Sequence, residues 1–131
     1  MIDTNTAPLA AFLLRISVGL LFMAHGLLKV FVFTLPGTVA FFESVGLPGF
    51  LAYVTIVAEV AGGLALILGI YTRLVALALT PILIGATFVH AGNGWLFINE
   101  GGGWEFPAFW TIALISVALL GRGGLVRPSR A

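Results

Sequence analysis

The sequence predicts an all-α fold, a bundle of four helices embedded in a lipid bilayer. Hydrophobic residues make up 60% of the 131 residues and charged residues only 8%, whereas soluble domains average roughly 25% charged residues. The apolar residues form four stretches, each near the roughly 20 residues that a helix needs to cross the hydrocarbon core. These stretches lack the alternation of apolar and polar residues that is typical of membrane barrels. We therefore predict helices that cross the membrane.

The first helix is predicted over about residues 8–34, where Pro36-Gly37 is expected to end it. No basic residue precedes this stretch, although a cleaved signal peptide needs a basic segment there. The stretch also contains Arg15, His25 and Lys29, which the apolar part of a signal peptide would lack. We interpret it as a mature transmembrane helix.

The other three helices are predicted over about residues 50–70, 74–91 and 106–120, and a glycine-rich segment separates the last two. Pro81 is expected to kink the third helix. The second helix carries small residues spaced by four, which allow close helix packing in lipid: Ala58, Ala61, Gly62, Ala65 and Gly69. We expect the whole chain, residues 1–131, to form a single transmembrane domain.

The basic residues predict that both termini lie in the cytoplasm, because basic residues accumulate on that side of a membrane protein. With four crossings, one side carries Arg15, Arg73, Arg122, Arg127 and Arg130. The opposite loops carry Glu43, Glu100 and Glu105, and the one basic residue on that side is Lys29, at a helix end. Trp95, Trp104 and Trp110 lie where an aromatic belt is expected.

Composition also excludes several kinds of function. The net charge of +1 does not favour nucleic-acid binding, and the absence of cysteine excludes disulfides and thiolate chemistry. No two histidines lie four residues apart on one helix, and no metal site is assigned.

Polar residues within the apolar stretches indicate a functional site, because charge inside a bilayer is costly. On a helical wheel, Arg15, Gly19, His25, Gly26 and Lys29 share an arc of roughly 120°. Glu59 is expected about 14 Å from the outer surface, near the midplane. We predict an intramembrane polar pocket lined by Arg15, His25, Lys29, Glu59, His90 and Glu105.

Each of these residues also has a structural interpretation. Lys29 could extend to the outer interface, and Arg15 could extend to the cytoplasm or form an ion pair with Glu59. His25 could be a packing residue. A carboxylate at the depth of Glu59 must be paired, protonated or in contact with water. His90 and Glu105 could belong to a solvated loop.

An ordered set of motifs resembles a known family. The set comprises Arg15 with Gly19, His25-Gly26-x-x-Lys29, Val45-Gly46-Leu47-Pro48, Glu59-x-x-Gly62-Gly63, Leu68-Gly69-x-x-Thr72-Arg73, His90-x-x-Asn93-Gly94 and Gly103-Trp104-Glu105. From about residue 9 to residue 124 the chain resembles the DoxX family of small bacterial membrane proteins. Arg127-Pro128 stands where that family often has an aspartate.

The resemblance implies a protein of the bacterial inner (plasma) membrane, connected with quinone-linked redox chemistry and with oxidative or thiol stress. On this reading the chain is a quinone-interacting subunit of a redox system. His25 would bind a quinone oxygen, Glu59 would exchange a proton, and Lys29 would balance charge. A soluble redox partner would supply electrons, and the cofactor beyond a quinone is unknown.

Two other functions stay open from the residues. A small proton-coupled permease would use the buried Glu59 and His25 as a proton relay, and its four helices would require a homodimer. A non-catalytic scaffold would bind a soluble enzyme through its cytoplasmic arginines, Arg73, Arg122, Arg127 and Arg130. The residues indicate a site for a small lipophilic ligand without identifying that ligand.

Overall fold

The structure, a computed structural model, describes residues 1–125, and its regular secondary structure over that range consists of helices without strands. The helices are α1 (Ala7–Phe31), α2 (Leu35–Ser44), α3 (Phe50–Leu68), α4 (Thr72–His90) and α5 (Glu105–Leu120), and a short 3₁₀ turn, Ala91–Asn93, extends α4. The all-α prediction is confirmed. Arg127 and Arg130, and the departure at Arg127-Pro128, lie outside the described residues.

Three of these helices are long and apolar enough to cross a membrane: α1, α3 and α4 with its 3₁₀ extension. The fourth predicted span, α5, is apolar but has 16 residues. At 1.5 Å per residue it covers about 24 Å of the roughly 30 Å hydrocarbon core. The side of the membrane on which the termini lie stays a prediction.

Helix α2 was not predicted, because the sequence analysis took Pro36-Gly37 as the end of the first helix and assigned no helix to the residues that follow. Thr34 precedes it, and the Thr34 side chain accepts a hydrogen bond from Gly37 N–H at 3.2 Å. Pro36 lies in the first turn, where a helix tolerates proline because that N–H has no helical partner. Pro36-Gly37 therefore begins a helix instead of ending one.

The bundle is built from two helix pairs, since α1 packs mainly on α3 and α4 mainly on α5. Its core contains fully buried side chains from all four of these helices, among them Phe22, Leu66, Leu83 and Leu114. Large apolar side chains also cover much of the outer surface, for example Leu20, Val57 and Leu119. An apolar exterior is expected for helices that face lipid.

Glycines bring the backbones of α1 and α3 into contact. A Cβ atom added at Gly19 would lie 2.9 Å from the carbonyl oxygen of Gly63, and one added at Gly63 would lie 2.8 Å from the carbonyl oxygen of Gly19. The second predicted helix is α3, and the small residues predicted to pack on its neighbour did not include Gly63, which makes this contact. Gly62, which is one of those predicted residues, faces Leu79 of α4, and Ala61 is exposed.

We expect Gly19→Ala to lower the free energy of unfolding by about 1–3 kcal/mol, because the added methyl group would force two backbones apart. The measurement is thermal unfolding of the detergent-purified protein. Gly85→Ala is the matched control, since a Cβ added at Gly85 of α4 meets nothing within 4 Å. Replacing a helical glycine in open space should leave stability unchanged or slightly raised. Equal losses in the two variants would contradict the close contact.

Candidate functional site

An ion pair joins α1 and α3 inside the apolar bundle. Nζ of Lys29 lies 2.6 Å from Oε1 of Glu59, and the side chains are 19% and 4% exposed. Oε1 is buried, and within residues 1–125 it accepts no hydrogen bond from another group. Charge attraction therefore holds the pair together.

Local packing positions both partners. A Cβ atom added at Gly26, one turn before Lys29, would lie 2.7 Å from Val60 and 3.3 Å from Cβ of Glu59, so α1 passes close to α3 at this level. The hydroxyl of Thr38 in α2 has two acceptors within reach, the carbonyl oxygen of Thr34 at 2.8 Å and that of Lys29 at 3.0 Å. The start of α2 thus lies against the end of α1 that carries the lysine.

His25 lies four residues before Lys29, on the same face of α1. Its Nδ1 is 2.8 Å from the carbonyl oxygen of Leu21. A carbonyl oxygen can only accept a hydrogen bond, so Nδ1 carries the proton and donates the hydrogen bond to Leu21. In a neutral ring Nε2 is then unprotonated and can accept a hydrogen bond from a ligand.

Trp110 of α5 is a candidate site residue that the sequence analysis missed. We had assigned it to an aromatic belt, but it is 5% exposed and its ring centroid lies 4.7 Å from that of His25. Its indole Nε1 is buried and has no hydrogen-bond partner in the described part of the chain. A buried N–H without an acceptor is costly, and a ligand oxygen would satisfy it. The sequence does place Trp110 four residues after Phe106, on the same face of α5. In the structure that face meets His25, since the ring centroid of Phe106 is 6.2 Å from that of His25.

An aromatic pocket opens to the surface beside these residues, with a volume of about 480 Å³. We call it the aromatic pocket, and its lining consists of Trp95, Phe97, Glu105, Phe106 and Phe109. The ring of Phe106 faces this pocket and also stacks on His25, at an interplanar angle of 20°. Neither the aromatic pocket nor the second surface pocket, described below, is lined by Lys29, Glu59 or His25.

His90 ends α4 and Glu105 begins α5, so the two residues flank the loop between these helices. Oε1 of Glu105 accepts a hydrogen bond from Phe97 N–H at 2.9 Å, which fixes one wall of the aromatic pocket. His90 lies 3.5 Å from the amide nitrogen of Asn93, and that nitrogen donates to the carbonyl oxygen of Gly102 at 2.8 Å. Both residues therefore make contacts that organise the loop, and Glu105 also lines the aromatic pocket. Their place in a functional site stays a prediction.

Arg15 lies away from Glu59, so the alternative of an Arg15–Glu59 ion pair is wrong. The Nη1 atom of Arg15 donates to the carbonyl oxygens of Leu66 and Ile67 at 2.6 and 2.8 Å, and Nε donates to that of Arg122 at 2.8 Å. The last carbonyl oxygens of a helix lack helical partners and carry partial negative charge. They therefore compensate the charge of the buried guanidinium group, and Lys29 is the partner of Glu59.

The structure thus divides the six predicted site residues into three groups. Lys29, Glu59 and His25 lie along the contact between α1 and α3, and Trp110 joins them from α5. Glu105 and His90 organise the neighbouring loop. Arg15 lies at the far end of α1, about 21 Å from Lys29 along the helix axis. Within residues 1–125 there is no group of three or more His, Cys, Asp or Glu side chains that could hold a metal ion.

Comparison with known proteins gives a family match and two relatives. A family model described as DoxX matches residues 10–92. The Bacillus subtilis (strain 168) protein named "Putative oxidoreductase CatD" is 41% identical over 78 residues, which are 60% of this chain and 57% of that protein. The Escherichia coli (strain K12) protein named "Inner membrane protein YqjF" is 33% identical over 92 residues, 66% of this chain and 69% of that protein. The first match therefore spans less than two thirds of that relative. No solved structure gives a significant match.

We expect Lys29→Met and Glu59→Gln each to lower the free energy of unfolding by about 3 kcal/mol, because each leaves the other charge buried without its partner. The double variant should lose much less than the two single losses combined, with a coupling energy of about 1–3 kcal/mol. Thermal unfolding of the four proteins in one detergent measures this cycle. A coupling energy near zero would show that the two charges do not interact.

Proposed function

The chain belongs to the DoxX family, and from that membership we propose that it is a quinone-interacting subunit or accessory of a redox system in the bacterial inner membrane. The relative named a putative oxidoreductase supports the redox class, and the relative named an inner membrane protein supports the location. The structure contains three helices that are long and apolar enough to cross a bilayer, and this number agrees with a protein that crosses the membrane several times.

The observation that carries the proposal is the set of polar groups between α1, α3 and α5. The Lys29–Glu59 ion pair lies on the same face of α1 as His25, and the buried indole N–H of Trp110 lies against His25 without an acceptor. Polar and ionisable side chains inside a membrane protein mark substrate or proton pathways. A quinone head group needs this combination, because its two carbonyl oxygens must be held and protonated.

The proposed entrance for the quinone is the aromatic pocket. Its four aromatic side chains suit a flat ring, and its opening on the surface would leave the isoprenoid tail in lipid. Phe106 separates this pocket from His25, so rotation of its ring would bring the head group to His25 and Trp110. The indole N–H of Trp110 would then donate to a carbonyl oxygen of the quinone.

The ion pair would supply the proton that accompanies reduction. A quinone takes two electrons and two protons to become a quinol. Glu59, which is ionised in the pair, would take up a proton from the aqueous side and pass it to the head group, once for each of the two protons. Lys29 would stabilise the carboxylate between transfers. A separate redox partner protein, bound at the cytoplasmic side or within the membrane, would supply the electrons. The residues named here position the quinone and move protons.

We expect short-chain ubiquinone or menaquinone analogues to raise the melting temperature of the detergent-purified protein in a saturable way. A ligand that binds only the folded form adds about 2.7 kcal/mol of stability at a concentration of 100 Kd. Glu59→Gln and Trp110→Phe should lose most of this shift, because each removes a group that contacts or protonates the head group. Glu100→Gln is the matched control, since Glu100 is exposed in the loop between α4 and α5 and lies outside the aromatic pocket.

Absence of a saturable shift with every quinone would overturn the proposal, as would an equal loss in the control. The buried ion pair also suits the alternative of a proton-coupled carrier. In that event proton-dependent flux into liposomes, compared between the wild type and Glu59→Gln, becomes the deciding measurement.

A further inference from the structure

A second pocket, of about 510 Å³, lies at the end of the bundle opposite the Lys29–Glu59 pair. We call it the arginine pocket. It is formed by the turn between α3 and α4, the start of α4 and the segment after α5, and its lining includes Gly69, Thr72, Arg73, Gly121 and Arg122. No role proposed above uses it.

Two guanidinium groups, those of Arg73 and Arg122, line this pocket, and that of Arg15 lies next to its wall at Gly69. Nε of Arg122 and Nη1 of Arg15 lie 2.8 and 3.0 Å from the point where a Cβ on Gly69 would stand. Nε and Nη2 of Arg73 both lie 3.2 Å from the corresponding point on Gly121, the residue next to Arg122. Three of the six basic residues of the chain therefore converge on one small volume.

No carboxylate balances these charges in residues 1–125. The ion pair in that part of the chain is the distant one between Lys29 and Glu59. Asp3, the acid nearest to Arg15 in the sequence, accepts hydrogen bonds from the N–H groups of Asn5 and Thr6. Like charges brought together without a counter-charge repel each other, so the arrangement favours an added anion.

The buried hydroxyl of Thr72 provides an independent indication. Thr72 lines the arginine pocket and is 5% exposed, and its Oγ1 has no hydrogen-bond partner in the described part of the chain. It is the first residue of α4, whose preceding residue, Tyr71, provides no side-chain cap. The first N–H groups of a helix lack helical partners and attract anions. The pocket therefore offers neutral donors as well as positive charge.

We propose that the arginine pocket binds a phosphate-type oxyanion. Arg73 and Arg122 would contact its oxygens with charge-assisted hydrogen bonds, and Thr72 and the first turn of α4 would donate to it. Arg15, which lies beside Gly69 and outside the pocket lining, contributes positive charge while its Nε and Nη1 stay bonded to carbonyl oxygens. The phosphate of an anionic lipid and free phosphate present the same chemistry to these donors. Leu74 and Leu120 give the lining an apolar part that suits the acyl chains of a lipid.

The experiment measures the melting temperature of the detergent-purified protein at constant ionic strength. One series adds inorganic phosphate in place of chloride, and a second adds phosphatidylglycerol or, for comparison, phosphatidylcholine. Stabilisation by both phosphate and phosphatidylglycerol would mean that the oxyanion suffices. Stabilisation by phosphatidylglycerol but not by phosphate would identify the lipid as the source. No stabilisation by either, or equal stabilisation by the two lipids, would overturn the proposal.

Substitutions connect the effect to the pocket. Arg73→Gln combined with Arg122→Gln should raise the apparent dissociation constant of the stabilising anion at least about tenfold, because two charge-assisted bonds are lost. Ala91→Glu combined with Gly92→Asp lowers the net charge by the same two units at exposed positions after the far end of α4, and it should have little effect. An equal loss in this control would mean general charge attraction and would overturn the proposal.

Thr72→Val separates binding from folding. Without added anion this variant should be as stable as the wild type or more stable, since it removes a buried hydroxyl that has no partner. The anion-dependent rise should nevertheless shrink. Thr87→Val is the matched control in the same helix, because the Thr87 hydroxyl already donates to the carbonyl oxygen of Leu83. An unchanged anion response in Thr72→Val would contradict the assignment of Thr72 as a donor.

Discussion

The contact between the backbones of α1 and α3 is the constraint on which the rest of the structure depends. With Gly19 and Gly63 touching, the two helices have one possible register. That register places Gly26 beside Glu59 and so brings Lys29, one turn farther along, to the carboxylate. In the other direction it places Arg15 at the last carbonyl oxygens of α3. A shift of one residue would separate both charges from their partners inside an apolar bundle, where an unpaired charge is very costly.

The two ends of α1 therefore have different chemistry although both carry a buried cation. Lys29 has an acidic partner and lies near an imidazole ring and an indole ring, a combination that can move protons. Arg15 is bonded to neutral carbonyl oxygens, which stabilise its positive charge without supplying a counter-charge, and it lies beside Arg122. One end is electrically balanced, whereas the other is positive.

Hydrophobicity and helix length were sufficient to predict the all-α fold and the approximate positions of four apolar helices. Helix α2 was missed because Pro36 and Gly37 are compatible with both the end and the start of a helix, and the hydrogen bond to Thr34 decides between them. For the site, a helical wheel placed His25 and Lys29 on one face, but it could not assign Glu59 to Lys29 instead of Arg15. That choice depends on the rotation of α3 about its axis, which Gly63 determines. Trp110 was misassigned because its burial arises from contacts with Phe22 and His25 on another helix.

The distribution of tight contacts makes the bundle stiffer at one end than at the other. At the arginine end a short turn, Gly69 to Tyr71, joins α3 to α4, and Arg15 bonds both to α3 and to the segment after α5. Both helix pairs are therefore fastened together there. At the opposite end α1 meets α5 through the ring contacts of His25, Phe106 and Trp110, which can slide without breaking a hydrogen bond. Separation of the pairs would act as a hinge about the arginine end, and would open the bundle where the ion pair lies.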